Sequence, residues 1–341
     1  MVVVFVTKHG TKIGKHKQRI TLHIPDPSIP DQEIPVSILE EIIIEANASI
    51  STQAIKLVAQ QGIPILFMAG NTPLAILHPE LSHGTVEVRR QQMTAYYDER
   101  GVEFANQVVK AGMLNKQHLL RRTKNRRNVD PEKHGQIQEA IEQIEAQMRQ
   151  IPVKGTKLPM VRERLFGLEG EAAKHYFRGF RALVGEKWGF EKRNRRPPQD
   201  PINSMLSYGY AILYSKLFSA VIIAGLECFA GFLHTDRSGK PSFVLDLIEE
   251  FRQPIVDRTV LRITGKNMIS PDDFENTGNR CMIADNAKQT LAEEIYKELD
   301  RKIPTPHGRL SMADVLIHQA RNAGKFFRRA IPRYKPFVME V

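Results

Sequence analysis

The sequence predicts an α+β fold, in which a small N-terminal β-sandwich-like domain over residues 1–86 precedes a larger all-α domain over residues 87–341. A chain of 341 residues is long enough for about two domains. Runs rich in β-branched residues, one of them alternating in polarity, come before Gly84 and are typical of strands. After Gly84 the apolar residues recur with the 3.6-residue period of helices, which indicates a change of domain.

Strands dominate the predicted first domain. The strand-like runs are Val2–Thr7, Arg19–Ile24, Glu40–Ile44 and Pro64–Met68, and a turn leads into a further apolar run, Leu74–Leu77. In the second run the side chains of Ile20, Leu22 and Ile24 share one face of the strand. Between two of the strands, Ser51–Gln61 has helical spacing, so we expect one helix in this domain.

Helices dominate the predicted second domain. Glu87–Val109 and Pro131–Gln150 both have helical periodicity, and the second carries a stripe of apolar residues. Helical patterns continue to about Arg329. We expect the tail after it, Ala330–Val341, to fray as chain ends usually do, although its basic and aromatic residues would also suit DNA or a partner protein.

Composition argues against several classes of protein. The most apolar region, Pro201–Leu233, is interrupted by Lys216 and Glu227, which argues against a membrane-spanning helix. The first residues have no basic segment before their apolar run, so we expect a strand there and not a secretory signal. Cys228 and Cys281 lie far apart, and neither a disulfide framework nor a zinc knuckle is expected. These features favour a cytoplasmic protein.

The positive charge is concentrated in the middle of the chain. The net charge is +11, and residues 87–197 alone hold 24 basic and 14 acidic residues. Such a concentration suits a polyanion, because each cation that neutralises a phosphate releases counterions. The predicted DNA-binding residues form two clusters, which are Arg121, Arg122, Lys124, Arg126 and Arg127, and, in an exposed loop, Arg193, Arg195 and Arg196.

Glu169 is the first candidate for a functional acid. It shares a predicted helix face with apolar residues such as Ala172 and Ala173. Glu171 lies about 200° further round the helix and is expected to be solvated. A carboxylate on an apolar face needs a partner, because burying an unpaired charge is costly. The alternative is that Glu169 is a first-turn acid, which the helix dipole favours.

A histidine and two acids form the second candidate. His234 follows the long apolar segment, and Asp246 and Glu249 lie three residues apart in the next predicted helix. At that spacing both carboxylates are close enough to serve one cation. The alternatives are a histidine with an ordinary structural hydrogen bond and an acidic helix face that is merely solvated.

Together these residues suggest metal-dependent chemistry on nucleic acid. Carboxylates and an imidazole form a hard site of oxygen and nitrogen donors, which suits Mg²⁺ or Mn²⁺. A divalent ion stabilises the charge of a phosphodiester undergoing displacement, while the basic segment would neutralise the backbone.

Several motifs make the chain resemble a known family. They are Leu168-Glu169-Gly170 followed by Ala173, Asn203 with Leu206 and Tyr210, Gly231-Phe232-Leu233-His234, the segment Ser242–Arg252, and Val256-Asp257-Arg258. In this order and spacing they closely resemble the CRISPR-associated endonuclease of spacer acquisition, the integrase subunit of the first-numbered Cas protein family. The resemblance covers nearly the whole chain.

The resemblance implies a homodimer joined through its β domains and a catalytic helical domain. By position, the metal ligands it implies are Glu169, His234 and Glu249, with Asp246 as a further acidic catalytic position beside them. It places Asn203, Tyr214 and Arg252 as supporting polar residues near the catalytic centre. It also implies a partner, a small ferredoxin-like Cas subunit that bridges two dimers.

The function that follows is insertion of prespacer DNA into a CRISPR array, by attack of a prespacer 3′-hydroxyl on a phosphodiester of the repeat, with Mg²⁺ or Mn²⁺ as cofactor. Two other classes stay open. One is a stand-alone metal-dependent nuclease acting on branched or single-stranded DNA. The other is a non-catalytic DNA-binding scaffold, whose acids would only cap and solvate helices.

Overall fold

The computed structural model of the chain describes residues 2–69, 72–77, 86–126, 130–152, 157–306 and 308–340. Its contacts divide the chain into two compact units, Met1–Ser82 and His83–Val341. The first unit is rich in strands and the second is mostly helical, which confirms the predicted fold class.

Two sheets and a helix build the described part of the first unit. The elements are β1 (Val2–Val6), β2 (Lys12–His16), β3 (Arg19–His23), β4 (Gln32–Pro35), β5 (Leu39–Ile44), β6 (Ser49–Ile50), α1 (Thr52–Gln60), β7 (Ile65–Ala69) and β8 (Thr72–Leu77). One sheet has the order β1-β5-β7-β8, with β8 antiparallel to β7, and the other has the order β4-β3-β2-β6. Both sheets and α1 contribute side chains to one apolar core, which makes the unit sandwich-like.

The observed elements of this unit include every strand and the helix that the sequence patterns predicted. The helix begins where expected, because the Ser51 hydroxyl accepts a hydrogen bond from the backbone N–H of Ala54 at 3.2 Å. The patterns missed β2, β4 and β6, which are short and largely polar.

Helices build most of the second unit. Its described elements are α2 (Val86–Ala95), α3 (Glu99–Arg126), α4 (Pro131–Met148), α5 (Leu158–Val184), α6 (Pro201–Ile223), α7 (Ser242–Leu247), α8 (Arg258–Gly265), β9 (Phe274–Thr277), β10 (Arg280–Ile283), α9 (Asp285–Asp300), β11 (Lys302–Thr305), β12 (Gly308–Ser311) and α10 (Met312–Phe327). A 3₁₀ turn, Ile248–Glu250, and a π-helix, Arg252–Asp257, join α7 to α8.

Local turn chemistry explains two departures from the all-helical expectation for this unit. The single helix predicted over Glu87–Val109 is interrupted, because the Asp98 carboxylate accepts from the Arg100 backbone N–H at 3.0 Å and starts a new helix, α3. Two hairpins, β9–β10 and β11–β12, were not predicted. In the first, Gly278 supplies the positive φ, +61°, that a two-residue hairpin turn requires.

The apolar helix α6 is a core helix. It is long and apolar enough to cross a membrane, but 61% of its most apolar window is buried inside the protein. Its first residues are fixed by Asp200, whose carboxylate accepts from the Asn203 backbone N–H at 2.8 Å.

The C-terminal tail is docked, so the expectation of a frayed end is wrong. Tyr334 is 1% exposed, and its hydroxyl donates to the buried Glu250 at 2.6 Å. The backbone N–H of Phe337 donates to the same carboxylate at 2.7 Å, and that of Met339 donates to Asn115 at 2.8 Å. Buried polar groups beside α3 therefore hold the tail in place.

Candidate active site

Glu169 lies in the middle of α5. That helix begins at Leu158 and ends before Gly185, whose φ of +90° leaves the helical region. The alternative reading of Glu169 as a first-turn acid is therefore wrong. Its side chain is 24% exposed, whereas Glu171 points to solvent and pairs with Lys174, as predicted.

A buried lysine of α3 is the partner of Glu169. The Lys116 Nζ lies 3.1 Å from Oε1 of Glu169, and the lysine side chain is only 3% exposed. Gly112, one turn earlier, lets α3 approach the 3₁₀ turn Ile248–Glu250 closely, since a Cβ there would lie 3.3 Å from the carbonyl oxygen of Glu249. Sequence reasoning missed Lys116, because a single lysine in a long helix is normally solvated.

Glu249 is the second acid of the cluster. It lies in the 3₁₀ turn after α7 and is 6% exposed, so the alternative of a solvated acidic face is wrong for it. Its Oε1 lies 3.0 Å from Nε of Arg252, whose guanidinium stacks 4.8 Å from the centre of the Tyr210 ring. Burial opposes ionisation of Glu249, but Arg252 and Lys116 outweigh it and hold the pKa of Glu249 below its ordinary value.

His234 is oriented by Asp246. The carboxylate of Asp246 is fully buried and accepts the backbone N–H groups of Phe232, Leu233 and His234. Nδ1 of His234 lies 2.8 Å from the same carboxylate, which leaves Nε2 as the ring nitrogen that Asp246 does not hold. The ring edge of Phe166, from α5, packs against the imidazole at 5.3 Å.

The structure brings these side chains into one cluster. Burial works against the charge of Arg252, but Glu249 and Glu169 both raise its pKa above the ordinary value. His234 is likewise near enough to Glu249 to act on it electrostatically. Two acids, two cations and an imidazole from four separate segments therefore form one electrostatic unit. In the described parts of the chain, no three His, Cys, Asp or Glu side chains are grouped closely enough to hold a metal ion as they stand.

The family comparison decides what kind of protein carries this cluster. The family model described as CRISPR associated protein Cas1 matches residues 4–297. The chain belongs to the Cas1 family. One relative, the CRISPR-associated endonuclease Cas1 1 of Archaeoglobus fulgidus, is 35% identical over 89% of this chain and 90% of its own length. The resemblance found in the sequence motifs is thereby confirmed.

Solved structures share the fold of this Cas1-family chain. A casposase bound to an integration product aligns with a TM-score of 0.84 and 22% identity, over 100% of this chain and 95% of that chain. A chain of a Cas6-RT-Cas1–Cas2 complex aligns with a TM-score of 0.79 and 20% identity, over 100% of this chain and 36% of that chain. At these identities the likeness shows the fold.

The predicted supporting residues have different surroundings. Asn203 is fully buried and ties the basic loop to α6, because its Oδ1 accepts from Arg193 at 2.8 Å and from the backbone N–H of Asn194 at 3.0 Å. Tyr214 packs on Phe218, and burial raises its pKa to about 12. No contact between Tyr214 and the acid cluster appears among the described residues.

Tyr210, one turn before Tyr214, is the tyrosine that touches the cluster. The guanidinium groups of Arg252 and Arg193 both lie over its ring, 4.8 and 5.5 Å from the ring centre. Its hydroxyl donates to the buried Asp257 at 2.5 Å. The sequence motif contained Tyr210, but nothing in its spacing distinguished it from Tyr214 as the neighbour of an arginine.

The predicted DNA-binding residues also divide. Arg195 and Arg196 are exposed in the loop before α6, and the charge of Arg195 acts on Glu249. Arg193 instead points inward to Asn203 and to Ser207. In the other cluster, three members are half-buried on α3, namely Arg121, Arg122 and Lys124. The side chain of Arg126 and the whole of Arg127 lie outside the described residues.

Proposed function

We propose that this Cas1-family chain is a metal-dependent DNA endonuclease and integrase that inserts prespacer DNA into a CRISPR array. The observation that carries the proposal is the meeting of Glu169, His234 and Glu249 beside Lys116 and Arg252. The Archaeoglobus relative is named an endonuclease, and the structurally similar casposase is bound to an integration product, which supports this reading.

The donor set fits a hard divalent cation. Nδ1 of His234 is already held by Asp246, an arrangement usual for imidazoles that bind metal through the other nitrogen. A cationic group, the Lys116 ammonium, already lies against Glu169, so this part of the site stabilises positive charge. The residues that would hold Mg²⁺ or Mn²⁺ are therefore Glu169, Glu249 and Nε2 of His234. When bound, the ion supplies Lewis-acid stabilisation of the charge that develops on phosphodiester oxygens.

The reaction we propose is a transesterification. The 3′-hydroxyl oxygen of the prespacer forms a bond to a phosphorus of the repeat, and the bond from that phosphorus to the repeat's 3′-oxygen breaks. The hydroxyl proton is transferred to the leaving oxygen. One phosphodiester replaces another, so no further co-reactant and no protein nucleophile is needed. With water in place of the prespacer hydroxyl, the same displacement is hydrolysis, which is the endonuclease activity.

Two residues of the cluster act through others. Asp246 uses both of its oxygens on four donors, so we assign it to positioning His234 and not to the metal. Arg252 is fixed between Glu249 and the ring of Tyr210, and it holds Glu249 in an ionised, ordered state. This division leaves Glu169, Glu249 and His234 as the metal-binding set.

The partners we propose follow from the chemistry and from the family. Double-stranded DNA, as prespacer and as repeat, would follow the exposed Arg195 and Arg196 to the acid cluster, with the basic face of α3 as a second contact. A homodimer formed through the β-rich unit and a small ferredoxin-like Cas subunit complete the assembly. The structurally similar chain from a Cas6-RT-Cas1–Cas2 complex supports a Cas partner. We place the protein in the cytoplasm.

Strand transfer tests the proposal. A labelled short duplex is incubated with the protein and a supercoiled plasmid that carries a leader and repeat, in Mg²⁺, Mn²⁺ or EDTA, with and without the small Cas subunit. We expect metal-dependent joining at the repeat ends, and its loss in Glu169→Ala and His234→Ala with DNA binding retained. The matched control is Glu171→Ala, which removes the solvent-facing acid of the same helix.

The other outcomes separate the remaining classes. Cleavage without joining, also on unrelated DNA and with the partner present, would replace the integrase by a stand-alone nuclease. DNA binding with neither activity would support a scaffold. If the Glu169→Ala protein still joins DNA, Glu169 and the residues around it do not take part in the reaction.

A further inference from the structure

The buried ammonium inside the acid cluster is not used by the mechanism above. We propose that Lys116 is the resident counter-ion of the metal-free site, which a divalent ion must displace, so that Lys116 sets the metal affinity of this chain. The inference rests on the proposed function, because it takes Glu169 and Glu249 as metal ligands. Lys116 is a positioning residue in this scheme and holds the acids ready while no metal is bound.

The geometry places the ammonium where it competes with a cation. Nζ of Lys116 lies 3.1 Å from Oε1 of Glu169, with the lysine side chain 3% exposed. At Gly112, α3 comes close to the backbone of Glu249. A Cβ added to Gly112 would lie 3.3 Å from the carbonyl oxygen of Glu249 and 3.7 Å from Nζ of Lys116. The charge of Lys116 also acts on Glu249. The ammonium therefore lies against one of the two acids that the metal would use and is near enough to act on the charge of the other.

The two acids that the metal would use already have cationic partners. Glu169 pairs with Lys116, and Glu249 pairs with Arg252. A divalent ion added to these pairs gains less, because the repulsion from both cations opposes the attraction of both acids. A tight complex with the metal therefore requires one of the two cations to move away.

Lys116 is the cation that can move. Arg252 forms an ion pair with Glu249 and lies over the ring of Tyr210, so two contacts hold its planar guanidinium. The ammonium of Lys116 has Glu169 as the one hydrogen-bond acceptor identified in the described structure, and its four-carbon stem allows it to swing aside. Displacement of Lys116 would free the carboxylate oxygen that it now occupies.

Metal binding to the full-length protein without DNA tests this inference. The free Mn²⁺ signal in electron paramagnetic resonance, recorded during titration with Mn²⁺, gives the dissociation constant directly. Lys116→Met removes the charge at similar volume, and we expect it to bind Mn²⁺ at least about tenfold more tightly than the unchanged protein. The matched control is Lys174→Met. Lys174 lies on α5, the helix of Glu169, and is the exposed partner of Glu171, so its loss should leave the Mn²⁺ affinity unchanged.

A second variant keeps the test decisive should Lys116→Met fold poorly. Lys116→Arg keeps the positive charge on a planar guanidinium, which can bind a carboxylate through two hydrogen bonds. Because a metal ion would have to displace this stronger partner, we expect the variant to bind Mn²⁺ more weakly than the unchanged protein. Thermal denaturation gives a further readout. The metal-free Lys116→Met protein should unfold at a lower temperature, and added Mn²⁺ should raise its Tm by more than that of the unchanged protein.

Two results overturn the inference in different ways. If Glu169→Ala abolishes Mn²⁺ binding but Lys116→Met binds no more tightly than the unchanged protein, or Lys116→Arg no more weakly, the ammonium does not compete with the metal and only this inference fails. If Mn²⁺ binding is the same with and without Glu169, the metal site of the proposed function fails, and this inference fails with it.

Discussion

Asp246→Asn is the substitution with the most specific structural consequence. One oxygen of this fully buried carboxylate accepts the backbone N–H groups of Phe232 and Leu233 at 2.6 and 3.1 Å. The other accepts the backbone N–H of His234 at 2.8 Å and lies 2.8 Å from Nδ1 of the same histidine. An asparagine has one oxygen and one amide NH₂, so whichever way it turns, at least one backbone N–H donor faces the NH₂ group.

The expected loss is large for an isosteric change. Two charge-assisted hydrogen bonds disappear, at about 1.5–3 kcal/mol each, so the free energy of unfolding should fall by about 3–6 kcal/mol. For a unit of this size that corresponds to a Tm lowered by roughly 10 °C. The matched control is Asp236→Asn in the same loop, because Asp236 is exposed and, among the residues that the structure describes, accepts one hydrogen bond, from the backbone N–H of Gly231.

Differential scanning calorimetry of the metal-free protein measures this difference. The account requires a clear fall of Tm in Asp246→Asn and almost none in Asp236→Asn. The same Tm for Asp246→Asn and the unchanged protein would contradict this prediction, because the stability of the loop that carries His234 would then not depend on the charge of Asp246. Mn²⁺ affinity measured on the same samples should fall with it, since the orientation of the His234 ring is lost.

Three further outcomes follow from other contacts. In Gly231→Ala the added Cβ would lie 2.5 Å from Cβ of Ser242, the first residue of α7. We expect this overpacking to lower the free energy of unfolding by about 1–3 kcal/mol in chemical denaturation, and an unchanged free energy of unfolding would contradict it. Glu250→Ala leaves the buried Tyr334 hydroxyl and the N–H donors of Gln319 and Phe337 without this acceptor, so the tail should become sensitive to proteolysis. Glu250→Gln should expose the tail much less, because the Tyr334 hydroxyl can accept a hydrogen bond from the glutamine amide. Replacement of Arg195 and Arg196 by glutamate should weaken DNA binding and lower the salt slope of the binding constant by about 2, and an unchanged slope would place the DNA on another face.

The fold class was predictable because periodicity is a local property. The run Arg19–Ile24 alternates and Ile137, Ile141 and Ile144 recur at helical spacing, and each pattern requires one apolar face. The same logic fails for the segment 242–257, which carries Asp246 and Glu249. Its apolar residues suggest a continuous helix, whereas the segment passes from α7 through a 3₁₀ turn into a π-helix that contains Pro254. Because this segment is buried on all sides, its pattern of apolar residues does not reveal where the 3₁₀ turn and the π-helix begin.

The acids of the candidate site could be selected from the sequence, but their partners could not. Glu169 was singled out because a carboxylate on an apolar face needs a counter-charge. That counter-charge is Lys116, which lies on a different helix and became its neighbour only through tertiary packing. The tail was expected to fray for the same reason, because the groups that hold it, Glu250 and Asn115, belong to distant parts of the chain.

The central claim is that Glu169, Glu249 and His234 bind one metal ion together. Anomalous diffraction from crystals of the protein grown with Mn²⁺, recorded at the manganese absorption edge, tests it most directly. We expect a single strong peak bounded by the two carboxylates and Nε2 of His234, with Nζ of Lys116 moved away from Glu169. A manganese peak elsewhere, with Lys116 still on Glu169, would contradict it.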